Sequence, residues 1–228
     1  MSTPPAPADP AYRRLSADAR REQLIRAAQG LFAHHAPEDV SPEDVARAAG
    51  VSRPLVYRYF PGGKQQLYEA VLLDAAEELE GCFTEPRHGP LPERLARALD
   101  RYLAFVEDHA EGFTALLRGG GVAETSRTGA IVDRVRRAAA DQIMAHMAVE
   151  RPGPLLLMAV RTWISAVEAA SLTWLDEGRR PGRAELRDWL VDHCSAVLAA
   201  TARHDPQTAA ALAAVGSPGP EGARRGEA

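Results

Sequence analysis

The stretch Ser41 to Lys64, SPEDVARAAGVSRPLVYRYFPGGK, leaves the chain little choice of local fold. Ser41 followed by Pro42, with Asp44 three residues after the serine, reads as an N-cap, a proline in the first helical turn and an acidic side chain that completes a capping box. The helix beginning there runs only to about Ala49, because Gly50 supplies the left-handed residue that ends it. Ser52 at once offers the N-cap of a second short helix. Val45, Ala46 and Ala49 form the inner stripe of the first helix, while Val51 and Val56 supply the apolar groups on which the second docks. Two short helices joined by Gly50-Val51-Ser52 have helix-turn-helix spacing.

The second helix, from Arg53 to Phe60, is predicted to bury only Val56 and Phe60. Its other faces carry two arginines and two tyrosines, a surface suited to phosphates and base edges, which makes it a candidate recognition helix. Pro61-Gly62-Gly63 breaks it. Lys64 then opens the next helix, where backbone N–H groups and a positive side chain together face an anion.

The run AxxAGVSxxxxYxYF, followed by a glycine turn, a lysine and a long helix, resembles the DNA-binding domain of the tetracycline-repressor (TetR) family of bacterial regulators over roughly residues 20–73. One departure is visible: the lysine stands four residues after Phe60, where the family places it three after. The resemblance implies an all-α homodimer that binds a palindromic double-stranded DNA operator, most simply as a repressor released by a small-molecule effector. It implies base-edge contact for Arg53, whose guanidinium can bridge guanine O6 and N7, and for Leu55 at a thymine methyl, with Pro54 on the same surface. Ser41, Ser52, Tyr57, Tyr59 and Lys64 are assigned to phosphates, and Arg58 to the backbone or to solvent.

Charge is distributed as such a protein needs. The chain has 27 Lys and Arg against 31 Asp and Glu. Nine of those cations and only six of the acids lie between Arg13 and Tyr68, which makes that window basic and the remainder acidic.

Residues 1–15, rich in Pro and Ala, read as a disordered arm in which Arg13 and Arg14 either reach a minor groove or form a solvated charge pair. Residues 16–66 are the expected DNA-binding domain, opened by a helix from a Ser16 cap to about His34 with Leu24, Ile25, Ala28, Leu31 and Phe32 as its apolar stripe. Residues 67–205 are the expected effector-binding and dimerisation domain. Within it the apolar spacing predicts a long helix from Lys64 to about Phe83, and others ending near His109, Leu117, Val149, Glu177 and His204. The glycines 119–121 read as a flexible connection. The last two long helices are apolar on more than one face, and the surplus fits a four-helix bundle formed with a second copy. Residues 206–228 read as a largely disordered tail.

No GxSxG elbow, HExxH, Walker loop or Rossmann glycine run is present, so neither catalytic residues nor a cofactor are expected. Cys82 and Cys194 have no CxxC or CxxH partner, and no metal site is expected. His146 with Glu150 is an i,i+4 pair that reads as a surface hydrogen bond or ion pair. The N-terminus lacks the apolar centre of a signal peptide and no run appears long enough to span a bilayer, so the chain reads as cytoplasmic, with no membrane partner. The family pattern, in which the body binds an inducer, points to Phe83, Tyr102, Phe105, Phe113, Leu117, Met144, Met147 and Trp163 as pocket-lining groups, with His109 or Arg118 as polar anchors. Each also reads as plain core. A helical partner-binding module, using the helix-turn-helix only for packing, is the alternative reading.

Overall fold

A computed structural model of the chain describes residues 15–118 and 125–216. Among these are ten α-helices and no strand: α1 (Ala17–Phe32), α2 (Pro42–Ala48), α3 (Arg53–Tyr59), α4 (Gly63–Cys82), α5 (Leu91–Asp108), α6 (Ala110–Arg118), α7 (Ser126–His146), α8 (Pro154–Asp176), α9 (Arg183–Ala202) and α10 (Pro206–Gly216). The chain is all-α, as expected. Arg13, Arg14 and the glycines 119–121 lie outside the described residues.

The reading head forms around the capping signals. The Ser16 hydroxyl accepts from the Ala19 amide and starts α1. Ser41 and Asp44 close the capping box on α2. That helix ends in a Schellman motif: Gly50 has φ +65°, its amide donates to the Arg47 carbonyl, and the Val51 amide donates back to the Ala46 carbonyl. A left-handed residue is needed there, which is why glycine fills it. Leu24, Ala28, Phe32, Val45, Val56, Phe60, Leu67, Tyr68 and Leu72 then bury one another in a single cluster.

Helix α4 belongs to two cores. Its first half, from Leu67 to Leu72, completes the head cluster, whereas Leu79 packs on the body cluster built around Leu103, Val106, Met147, Leu156, Val160, Trp163 and Leu190. Between the halves stand Ala75 and the buried Ala76. The head's interior therefore extends past the boundary expected at residue 66. Helix α7 runs alongside α4 and is tied to it by the ion pairs Arg127–Glu69 and Arg134–Glu80, at 3.1 and 2.7 Å.

Three expectations are corrected. Residues 206–216, expected to begin a disordered tail, form α10, which packs on α9 and buries Thr208 and Ala211. Asp205 holds the Thr208 amide at 3.1 Å, and Pro206 opens the first turn, a start signal that outweighs the low complexity of the alanine run. Residues 217–228 lie outside the described residues. Second, α8 is by length and composition apolar enough to cross a membrane. It instead packs against α7 and α9, with Leu156, Val160, Trp163, Ile164, Val167 and Trp174 buried and Glu168 bonded to Arg136. Third, α7 ends at His146, so Glu150 is not one helical turn farther on, and His146 bonds Arg94 instead.

Candidate functional site

Two sites are built by this fold, one on the outside of the head and one inside the molecule. On the outside, α3 buries Val56 and turns Ser52, Arg53, Pro54, Tyr57 and Arg58 to solvent, with Leu55 half-buried. Tyr57 is 37% exposed. Tyr59 is half-buried against the head core, and Ser41 is half-buried within its capping box, where its hydroxyl already serves Asp44. Ser52 differs from Ser41: it stands at the N-cap of α3 without a side-chain capping bond.

Arg53 is held by its neighbours. Its Nη1 lies 2.6 Å from Glu43 Oε1 across the turn, and its guanidinium sits 5.4 Å from the centre of the Tyr57 ring. Both partners are exposed, so the pair orders the side chain at small energetic cost and yields readily to a stronger acceptor. After α3 the chain reverses through Pro61-Gly62, and Gly63, with φ +64°, opens α4. A Cβ at Gly63 would stand 3.6 Å from the Tyr57 ring. Lys64 is half-buried in this first turn, with Nζ donating to the Glu38 carbonyl.

Inside, where α1, α4, α5, α6, α7, α8 and α9 meet, lies a cavity of about 200 Å³. Its wall is mostly apolar. Phe83, Tyr102, Phe105, His109, Phe113, Leu117 and Trp163 all line it, whereas Met144 and Met147 do not. The cavity-facing stripe of α7 runs through Val132, Val135, Ala139, Ile143 and His146. Met144 is turned about 100° from Ile143 on the helix, and Met147 is its C-cap, so both are packed in the body core. Arg118 is no anchor either: it pairs with Asp176 on the exterior. The Nδ1 of His109 bonds the Phe105 carbonyl at 3.0 Å, and its ring stacks on Phe105.

Polar groups that sequence spacing did not assign to the pocket also line this cavity. Arg94 is only 7% exposed, and its Nε has no hydrogen-bond partner among the described residues. Its Nη1 lies 3.0 Å from His146 Nδ1. A guanidinium can only donate, so that nitrogen accepts and His146 is neutral with its proton on Nε2. Burial, reinforced by Arg94 and Arg87, accordingly pushes the His146 pKa down. At the other end, the buried Tyr68 hydroxyl is also without a partner, and burial raises its pKa. The signal for Arg94 lay in the sequence: it is a cation in phase with the stripe Leu91, Leu95, Ala98, Tyr102 and Phe105.

Two short helices, the first locked by its capping box and the second turned outward and carrying cations, are the device by which a regulator enters a DNA groove, so the fold and its outer face define a helix-turn-helix transcriptional regulator. Residues 24–71 match the model of the bacterial regulatory proteins of the tetR family, and residues 91–197 the model of the tetracyclin repressor-like C-terminal domain. A solved TetR-family transcriptional regulator from Streptomyces coelicolor is 47% identical, with a TM-score of 0.84 over 88% of this chain and 90% of that one. The chain belongs to the TetR family of transcriptional regulators. Among curated relatives, the HTH-type transcriptional activator FasR of Mycolicibacterium smegmatis is 29% identical over 113 residues, covering 49% of this chain and 51% of that protein. The HTH-type transcriptional regulator BetI of Agrobacterium fabrum is 48% identical over 48 residues, covering 21% and 23%. The chain thus spans about half the length of one of these relatives and under a quarter of the other.

Proposed function

We propose that this regulator is a homodimeric cytoplasmic repressor, released from a palindromic operator when a small molecule fills the interior cavity. The observation that carries the reading is the cavity's shared wall. Phe32, Tyr68, Val71 and Leu72 belong to the head core and also line the cavity, opposite Tyr102, Phe113 and Trp163 of the body core. A ligand there touches both, and so biases how α1 and α4 sit against α5 and α7.

On DNA, Arg53 exchanges Glu43 for a base edge, Leu55 meets a thymine methyl beside Pro54, and Ser52, Tyr57, Tyr59, Arg58 and Lys64 engage phosphates. Ser41 acts mainly by holding α2. Dimerisation uses the outward faces of α8 and α9, where Leu155, Met158 and Trp189 are exposed, Met158 at 61% and Trp189 at 55%. Thr162, Ser165 and Ala169 continue the α8 face at helical spacing with small side chains that let a second copy approach. Pairing the two faces buries these groups and sets two heads on one operator.

The test is a selection of bound genomic fragments by the purified chain, followed by titration of the recovered operator. The expected outcome is a two-fold-symmetric site bound by a dimer. A ligand that releases DNA must bind the DNA-bound dimer more weakly by the same factor, because linkage is reciprocal. Equal ligand affinity with and without operator overturns the release mechanism. Since one relative is named an activator, placing the operator upstream of or across a promoter fixes the sign of regulation.

A further inference from the structure

Arg94 is an incomplete ion pair. A buried arginine is ordinarily matched by a carboxylate, because its charge and N–H groups lose their hydration on burial and need acceptors in its place. The acid that should answer it is Glu85, whose side chain is only 5% exposed, but Glu85 is already held by Arg97 at 2.5 Å and Arg101 at 2.8 Å. Arg87 adds a further cation in the field that Arg94 feels. Four arginines therefore gather around one carboxylate at this end of the cavity. The edge of the Arg94 guanidinium bearing Nη1 is fixed on His146, whose Nε2–H is a second donor. The opposite edge, Nε with Nη2, is the one that grips carboxylates side-on, and its Nε is the partnerless atom.

We propose that the effector is a compact apolar monocarboxylate whose carboxylate completes the Arg94 ion pair. This rests on the reading of the cavity as the effector site. A slight turn of the guanidinium brings its Nε–Nη2 edge onto the ligand, and the apolar body lies among Tyr102, Phe105, Phe113 and Trp163. Size is bounded too: an apolar cavity of ~150 Å³ accepts benzene, so one of about 200 Å³ accepts an acid of roughly eight to ten non-hydrogen atoms. The cavity is only partly closed, so this bound applies to the portion of the ligand that lies inside it. The missing acid is a stability sacrificed to specificity, since a site built to pair a charge rejects ligands lacking it.

The experiment uses the full-length dimer with octanoate and octan-1-ol, which share a chain and differ in charge. Binding is read from intrinsic tryptophan fluorescence and calorimetry, and release from the operator by anisotropy. Wild type should prefer octanoate at least tenfold. Arg94→Met should abolish the preference while its melting temperature holds or rises, because an incompletely paired buried cation has been replaced by a neutral side chain that keeps the apolar stem. Arg94→Lys should retain part of the preference. A purely structural Arg94 predicts the opposite, a lowered melting temperature with the preference intact, and would overturn the proposal. Equal binding of acid and alcohol by wild type overturns it without any variant. If both bind equally and both release DNA, the carboxylate assignment falls and the effector reading stands. If octanoate binds through Arg94 yet leaves the operator complex intact, the assignment stands and the release mechanism falls. If neither binds, both fall.

Discussion

In the head, Leu24, Val45, Val56, Phe60 and Leu67 close on one another, and several polar side chains around them are engaged locally: Ser16 on Ala19, Ser41 on Asp44, Arg53 on Glu43. In the body, the helices meet around a cavity of about 200 Å³ and leave the Arg94 Nε without a hydrogen-bond partner among the described residues. The head's chemistry faces outward and the body's faces inward. A rigid head presents the same surface to every DNA it meets, which reading requires, whereas a body with a void has somewhere for a ligand to act. The head can therefore be tested by DNA affinity at fixed fold, and the body by ligand or partner at fixed DNA contacts.

The largest effect should come from the body's outer face. Met158→Asp with Trp189→Asp should yield a folded monomer, and operator affinity should fall by about 10²–10⁴, because the second half-site is then no longer bound intramolecularly. Sedimentation alongside anisotropy checks this, and a dimer that survives the double change would move the interface elsewhere. Next, Arg53→Ala should cost about 1–3 kcal/mol at one operator position and leave ligand affinity unchanged. An effect spread evenly over all base substitutions would make Arg53 a phosphate contact.

Ser41→Ala should lower thermal stability by about 1 kcal/mol through loss of the α2 cap. The Ser41 hydrogen bonds hold the Asp44 carboxyl below its ordinary value of 3.8. A depressed folded-state value stabilises at neutral pH, and that contribution disappears as pH falls from 3.8 through the lowered value. The gap between wild type and variant should therefore narrow in acid, as denaturation at several pH values would reveal. The smallest effect is expected for Lys64→Ala, which should weaken all sequences alike and reduce the salt slope by about one ion. A change confined to one operator would break the assignment.

The head was legible because its signals are local. Ser41, Asp44 and Gly50 fix the first helix and the turn after it within ten residues, each through backbone groups three positions away. The body's site depends on which helices meet. Nothing near Arg94 in sequence shows that Glu85 will be taken by Arg97 and Arg101 or that His146 will arrive from α7, so its meaning appears only on assembly. Aromatic richness did indicate which segments border the cavity, but side-chain type alone could not separate Ile143 from Met144, one residue and about 100° apart. The Asp205-Pro206 start of α10 was visible and was masked by the alanine run that follows.

The alanines at positions 75 and 76 give α4 a narrow waist where its two cores part. Side chains this small leave slack on either side of the rod, and that slack is part of the void itself. A bulkier group grown from Ala76 should take up that space like a wedge beside an axle, and so compete with the proposed ligand for it.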